Sequence, residues 1–220
     1  MTRLLQQFAR NQAGTSTIEF ALVAMLFLLL TFGLVDFGNM FWQYNSAAKA
    51  AQLGARLAAV SDPVWNGLPT FTDDAGTPGG AWQTNYSVTC TSSNASGSAG
   101  SCAGAPSGGY SAAAMQCLVF GRAAGGGCDT QCAETGMDGE AGLCDRFNRI
   151  TPQNVSITYS HTGLGFSGRP GGPVQTITLR LTGLTFNFVA VGTLAKFAQL
   201  KTMPDFKVTM TGEDLNRDAP

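Results

Sequence analysis

Charge is scarce in this sequence: Lys, Arg, Asp and Glu together make up 12% of 220 residues, the formal net charge is −1, and there is one histidine. Neutralising a phosphate backbone takes a clustered basic field, so the composition excludes nucleic acid as a partner. The sequence also lacks a nucleophile elbow, a Walker loop and a His-Glu-x-x-His helix. At this length there is room for one ordinary domain and an anchor, not for a large multidomain enzyme. His161 stands beside a Gly-rich turn without a partner pattern and reads as a surface residue. Asp36-Phe37-Gly38 spells the kinase metal-binding tripeptide, but no phosphate loop or catalytic loop accompanies it. Asp73-Asp74 and Asp138-Gly139-Glu140 lack the ligand spacing of an EF-hand. No Cys-x-x-Cys pair occurs, and Cys128 and Cys132, with three residues between them, have a single histidine in the whole chain to join them, so zinc is not expected. The chain is read as a non-enzyme with no cofactor and no metal.

What the sequence does hold begins with a hydrophobic run. Met1 to Gly14 carries Arg3 and Arg10 and no acid, and an uncharged stretch rich in Leu, Phe, Val and Ala follows from Phe20 to Val35. From Ile18 to Val35 a helix rising ~1.5 Å per residue covers roughly 27 Å, close to the thickness of a hydrocarbon core. Arg3 and Arg10 on one side, with Asp36 the nearest charge on the other, predict a cytoplasmic N-terminus. Small or apolar residues then continue at Phe37, Met40, Phe41, Tyr44, Ala47, Ala48, Ala51, Ala55 and Ala58, at helical spacing. Ser61-Asp62-Pro63 supplies a stop. The prediction is one helix from about Thr15 to Val60. Its Ala-rich half is either packed on its own domain or a surface for identical or related helices, since small residues let helices approach closely.

A cleaved signal peptide could use Ala48-Lys49-Ala50, but the stretch before that site is too long and too aromatic. Gly14-Thr15-Ser16-Thr17-Ile18-Glu19-Phe20, a basic leader ending in Gly with Glu at the fifth following residue, resembles the type IV prepilin cleavage motif. Ser16 and Glu19 also fit a capping box. Capping alone does not explain a carboxylate at the mouth of a membrane span, where charge is costly and needs a partner. Cleavage after Gly14 would create one: the new amine of Thr15 lies one helical turn before Glu19, or reaches it from a neighbouring subunit.

Further on, Phe32-Gly33-Leu34-Val35-Asp36-Phe37-Gly38 and Asn45-Ser46-Ala47-Ala48-Lys49-Ala50-Ala51-Gln52-Leu53-Gly54-Ala55-Arg56 resemble the TadE-like family. Pro204-Asp205-Phe206-Lys207-Val208-Thr209-Met210 more weakly resembles the family's terminal strand. The resemblance implies a minor pilin or pseudopilin of the tight-adherence (Flp) pilus machinery, with a prepilin peptidase cutting between Gly14 and Thr15. The implied partners are other pilin or pseudopilin subunits, that peptidase, the inner-membrane assembly machinery and the lipid bilayer. The implied location is the bacterial inner membrane, single-pass, with the C-terminal domain periplasmic, or the extracellular pilus. Thr15 is not the aromatic residue found at the mature start of major type IV pilins, and the middle of the chain exceeds what a minimal TadE domain needs. The alternative is an uncleaved envelope anchor whose exported domain binds a partner or surface.

The exported part falls into two regions. Residues 61–152 are rich in Gly, Ala, Ser, Thr and Asn and read as loops. All six cysteines, Cys90, Cys102, Cys117, Cys128, Cys132 and Cys144, lie there, as expected where an oxidising compartment staples a segment too poor in large apolar residues to build a core. All six are expected to pair among themselves, in an order the sequence leaves open. Residues 153–220 show period-two alternation at Val155, Ile157 and Tyr159, at Ile177, Leu179 and Leu181, at Phe186 and Phe188, and at Val208 and Met210. A long turn around Gly163 to Pro173 separates the first two strands. Leu194, Phe197 and Leu200 form an apolar stretch read as core, with membrane contact as the alternative. The fold class is therefore α+β: a long N-terminal transmembrane helix continuing into a small antiparallel sheet domain with a disulfide-stapled, loop-rich insert.

Overall fold

The computed structural model describes residues 15–72, 76–123, 125–132, 139–168, 174–189 and 202–212. Residues 1–14, the expected leader with Gly14, lie outside the described residues, as do Asp73, Asp74, Asp138, Pro170 to Pro173, and Leu194, Phe197 and Leu200. The elements are α1 (Thr15–Val60), β1 (Ser87–Ser92), β2 (Gly100–Ala103), α2 (Ala112–Phe120), β3 (Val155–Ser160), β4 (Thr176–Leu181) and β5 (Phe206–Thr211). The chain divides into two compact units, Met1–Trp42 with Asn187–Lys201, and Gln43–Phe186 with Thr202–Pro220. The fold is α+β, with the long apolar helix first and an antiparallel sheet after it.

In the larger unit the five strands are ordered β2-β1-β3-β4-β5, and every neighbouring pair is antiparallel. Alternation separates two faces. On one, Val88, Tyr159, Ile177 and Met210 form one cross-strand row, and Cys90, Ile157, Leu179 and Val208 the next. Val155, Leu181 and Phe206 complete it. Except at the edge positions Val208 and Met210, these side chains are buried. The other face is hydroxyl-rich: Thr89, Thr158, Thr178 and Thr209 lie in one row. Thr89 and Thr158 share a hydrogen bond of 2.9 Å, as do Thr178 and Thr209 at 3.0 Å. A face of Thr and Ser meets water without leaving polar groups stranded, which is how an antiparallel sheet tolerates one wet side.

Two of the five strands and α2 lie within residues 61–152, where composition alone reads as loops. The apolar residues that declare β1 are only Val88 and Cys90, so its period-two signal is hidden among Ser and Thr. Ser111 begins α2 by accepting a hydrogen bond from the amide of Ala114. Gly121 ends it at φ +88°, a conformation that favours glycine. Conversely, the alternation at Phe186 and Phe188 does not make a strand. Thr185 forms only an isolated bridge to Thr202, and Phe186 to Phe188 are irregular.

The second half of α1 supplies cover for this core. Ala47, Ala50, Ala51 and Ala55 are fully buried, Ala58 and Ala59 nearly so. Gly54 is buried too, and a Cβ placed on it would lie 2.9 Å from Cγ and both Cδ atoms of Leu143. The small-residue stripe is therefore occupied within the protein's own domain. Tyr44 packs on Phe206 of β5 at a centroid separation of 5.1 Å. Just beyond the helix, the amide of Val64 donates to the buried Tyr159 hydroxyl at 2.9 Å. Burial pushes the Tyr159 phenol well above its ordinary pKa, partly opposed by that bond.

Candidate functional site

The first half of α1 has a different surface. Its large apolar side chains, from Ile18 and Phe20 through Leu34 and Val35, are exposed. No other helix among the described residues is long and apolar enough to cross a membrane. Thr31, a polar residue within the run, donates its hydroxyl to the Leu28 carbonyl one turn back at 2.9 Å, so it carries no unmet donor. Glu19 and Phe20 are exposed near the start of the helix. Helical backbone already includes Thr15 and Ser16.

In sequence, Asp36 is only the charge that ends the apolar run. In the smaller unit it is 4% exposed, and its Oδ1 accepts from the amide of Val189 at 2.7 Å. Asn39, one turn on and on the same face, donates from Nδ2 to the carbonyl of Asn187 at 2.9 Å. Sequence reasoning missed this pairing because its two halves are some 150 residues apart and neither carries a motif. The usable signal was a lone Asp with an Asn three residues later at the end of a span.

This segment is the one for which a relationship is found. Residues 14–56 match the TadE-like protein family. No curated protein matches the chain, and no solved structure does. The TadE-like segment covers well under half of the sequence and nearly coincides with α1. It contains Gly14, Thr15, Glu19 and Phe20 as well as Asp36, Asn39 and Gly54.

The remaining candidates lie outside the TadE-like segment. The six cysteines pair in chain order, Cys90 with Cys102, Cys117 with Cys128, and Cys132 with Cys144. Cys90 and Cys102 face each other directly across β1 and β2. Cys132, Cys144 and Asp145 cluster closely enough to suggest a metal, but both sulfurs are spent in one disulfide, and an Asp145 oxygen accepts from the Gly142 amide. His161 is not on the open surface. Its ring lies 6.3 Å from those of Trp82 and Tyr86, and its amide donates to the Tyr86 carbonyl. Trp65 and Phe71 complete this aromatic cluster. His161 Nε2 and the Tyr86 hydroxyl are buried without hydrogen-bond partners among the described residues, and burial raises the Tyr86 pKa. A general base needs a group to orient it and a reachable proton; the imidazole here packs as a ring among rings.

Proposed function

We propose that this chain is a minor pilin-like, or pseudopilin, component of a tight-adherence type IV pilus, working through helix packing and not through catalysis. α1 holds it in the bacterial inner membrane with the N-terminus cytoplasmic and the disulfide-bonded domain periplasmic. A prepilin peptidase cuts between Gly14 and Thr15, and the freed helix then packs with other pilin or pseudopilin subunits under the control of the inner-membrane assembly machinery. The observation that carries this reading is the TadE-like match over residues 14–56, combined with the unequal halves of the matched helix. One half is spent on its own domain, while the other presents an apolar surface to lipid or to neighbouring helices.

Glu19 tests the packing step. In a bilayer an isolated carboxylate is costly, and the amine of Thr15 from a neighbouring subunit is the partner that assembly would provide. Glu19→Gln removes the charge and leaves that amine unpaired in low dielectric, where such losses reach roughly 3–5 kcal/mol. The variant should insert and be cleaved but fail to enter filaments, as read by co-fractionation with sheared pili. A Glu19→Gln protein that is cleaved and assembles at the wild-type level removes the pairing mechanism.

A further inference from the structure

We infer that Asn187-Phe188-Val189 is a second point of contact with the lipid bilayer, strapped to α1 at the end of its span by Asp36 and Asn39 so that Val189 enters the interfacial region. The inference rests on the reading that α1 crosses a membrane, and goes beyond it by giving the bilayer a contact from a distant part of the sequence.

The strap is made through the main chain. Asp36 takes the Val189 N–H and Asn39 gives a hydrogen bond to the Asn187 carbonyl, so these two backbone groups of the segment, which would be costly to leave unpaired near lipid, are satisfied. That leaves the side chain free to face outward, and Val189 is 75% exposed. Asp36 directly follows Val35, the last residue of the apolar run, which fixes the strap at the depth where hydrocarbon gives way to headgroups. Phe37, Phe41 and Trp42 on α1 are also more than 60% exposed; the two phenylalanines extend the apolar surface past Val35, and Trp42, an apolar ring with one polar edge, is of the kind that concentrates at the membrane–water interface. Val189, exposed on a segment that two hydrogen bonds tie to the end of the apolar run, continues the apolar surface of α1, and that continuity identifies its solvent as lipid. The buried carboxylate thereby acquires a role: it is the acceptor that holds the strap.

The test uses the full chain in vesicles containing lipids brominated near the headgroup end of the acyl chain. In a Trp42→Phe background, Val189→Trp provides the probe and Leu28→Trp, in the span, the control; Trp65 and Trp82 are buried and supply a constant baseline. The inference expects the 189 probe to lose emission to the bromines and to be shielded from aqueous iodide. It also expects Asp36→Ala, or independently Asn39→Ala, to reverse both effects, while Asp36→Asn, which keeps an acceptor oxygen, retains them. Quenching of the 28 probe but not of the 189 probe overturns the inference and leaves the span intact; quenching of neither overturns both. Shielding of the 189 probe from iodide and bromine alike would mean that protein covers this surface, and that too overturns the inference. So does quenching that survives both alanine variants.

Discussion

Gly54→Ala is the substitution that decides how the small-residue face of α1 is used. On an exposed helix face, replacing Gly by Ala stabilises by about 1 kcal/mol, because Gly has the more mobile unfolded backbone. Here the added methyl meets Leu143 at 2.9 Å through three of its atoms, so the Leu143 side chain, itself fully buried, has to shift. Overpacking of this kind costs about 1–3 kcal/mol, so the net effect should be a loss of about 0–2 kcal/mol where propensity alone forecasts a gain. Leu143→Ala should by itself cost about 2–5 kcal/mol by opening a cavity. In the double variant the methyl added at position 54 occupies part of that space, so its loss should fall short of the sum of the two single losses by about 1 kcal/mol or more. Urea unfolding of the full chain in detergent micelles, followed by the emission of buried Trp65 and Trp82, measures all four corners of the cycle. A Gly54→Ala protein stabilised by about 1 kcal/mol, with strictly additive effects, would mean that this face is open and that the helix does not rest on its own domain.

Other consequences are simpler. Non-reduced peptide mapping should recover Cys90 with Cys102, Cys117 with Cys128 and Cys132 with Cys144, with no free thiol. Replacing Cys90 and Cys102 by Ala should cost about 2–4 kcal/mol while the far-ultraviolet sheet signal persists, because the hydrogen-bonded ladder and apolar rows of β3, β4 and β5 do not depend on that bridge. Tyr159 stays neutral in the folded protein at pH values where an unfolded tyrosine, with pKa 10.0, ionises. Its contribution is therefore complete below pH 10 and is lost as pH rises above it, by as much as about 1.4 kcal/mol per pH unit. Urea midpoints across that range should fall, and Tyr159→Phe should start lower by about 1–3 kcal/mol, since the Val64 amide loses its acceptor, yet fall less steeply. An equal slope in the two proteins would assign the alkaline loss to another group.

The parts of the fold that are legible in the sequence are those with a single strong period. The stripe from Phe37 to Ala58 marks the extent of α1, and Val155 to Tyr159, Ile177 to Leu181 and Val208 to Met210 mark three strands with the right faces. β1 and β2 escape because their inward residues are Val88 and the bonded cysteines, and a cysteine that packs as an apolar residue still reads, in sequence, as a loop staple. Phe186 and Phe188 mislead for the opposite reason: they alternate in sequence, yet their backbone is irregular. Gly54 and Leu143 meet across almost ninety residues, and Asp36 and Val189 across 153. Such pairings are set by tertiary packing, so no local pattern encodes them. His161 reads as a surface residue because an isolated polar residue beside a glycine turn has no signal for the aromatic rings that surround it.

Removal of the leader is the step that would free α1 for assembly, and the N-terminal residue of the protein isolated from its native membrane tests it directly. Sequencing should begin at Thr15, with Glu19 as the fifth residue, and a Gly14 replacement that puts a side chain at the cleaved bond should abolish that product. A native protein that still carries the residues preceding Gly14 would contradict the pilin-like mechanism and leave α1 as a permanent anchor.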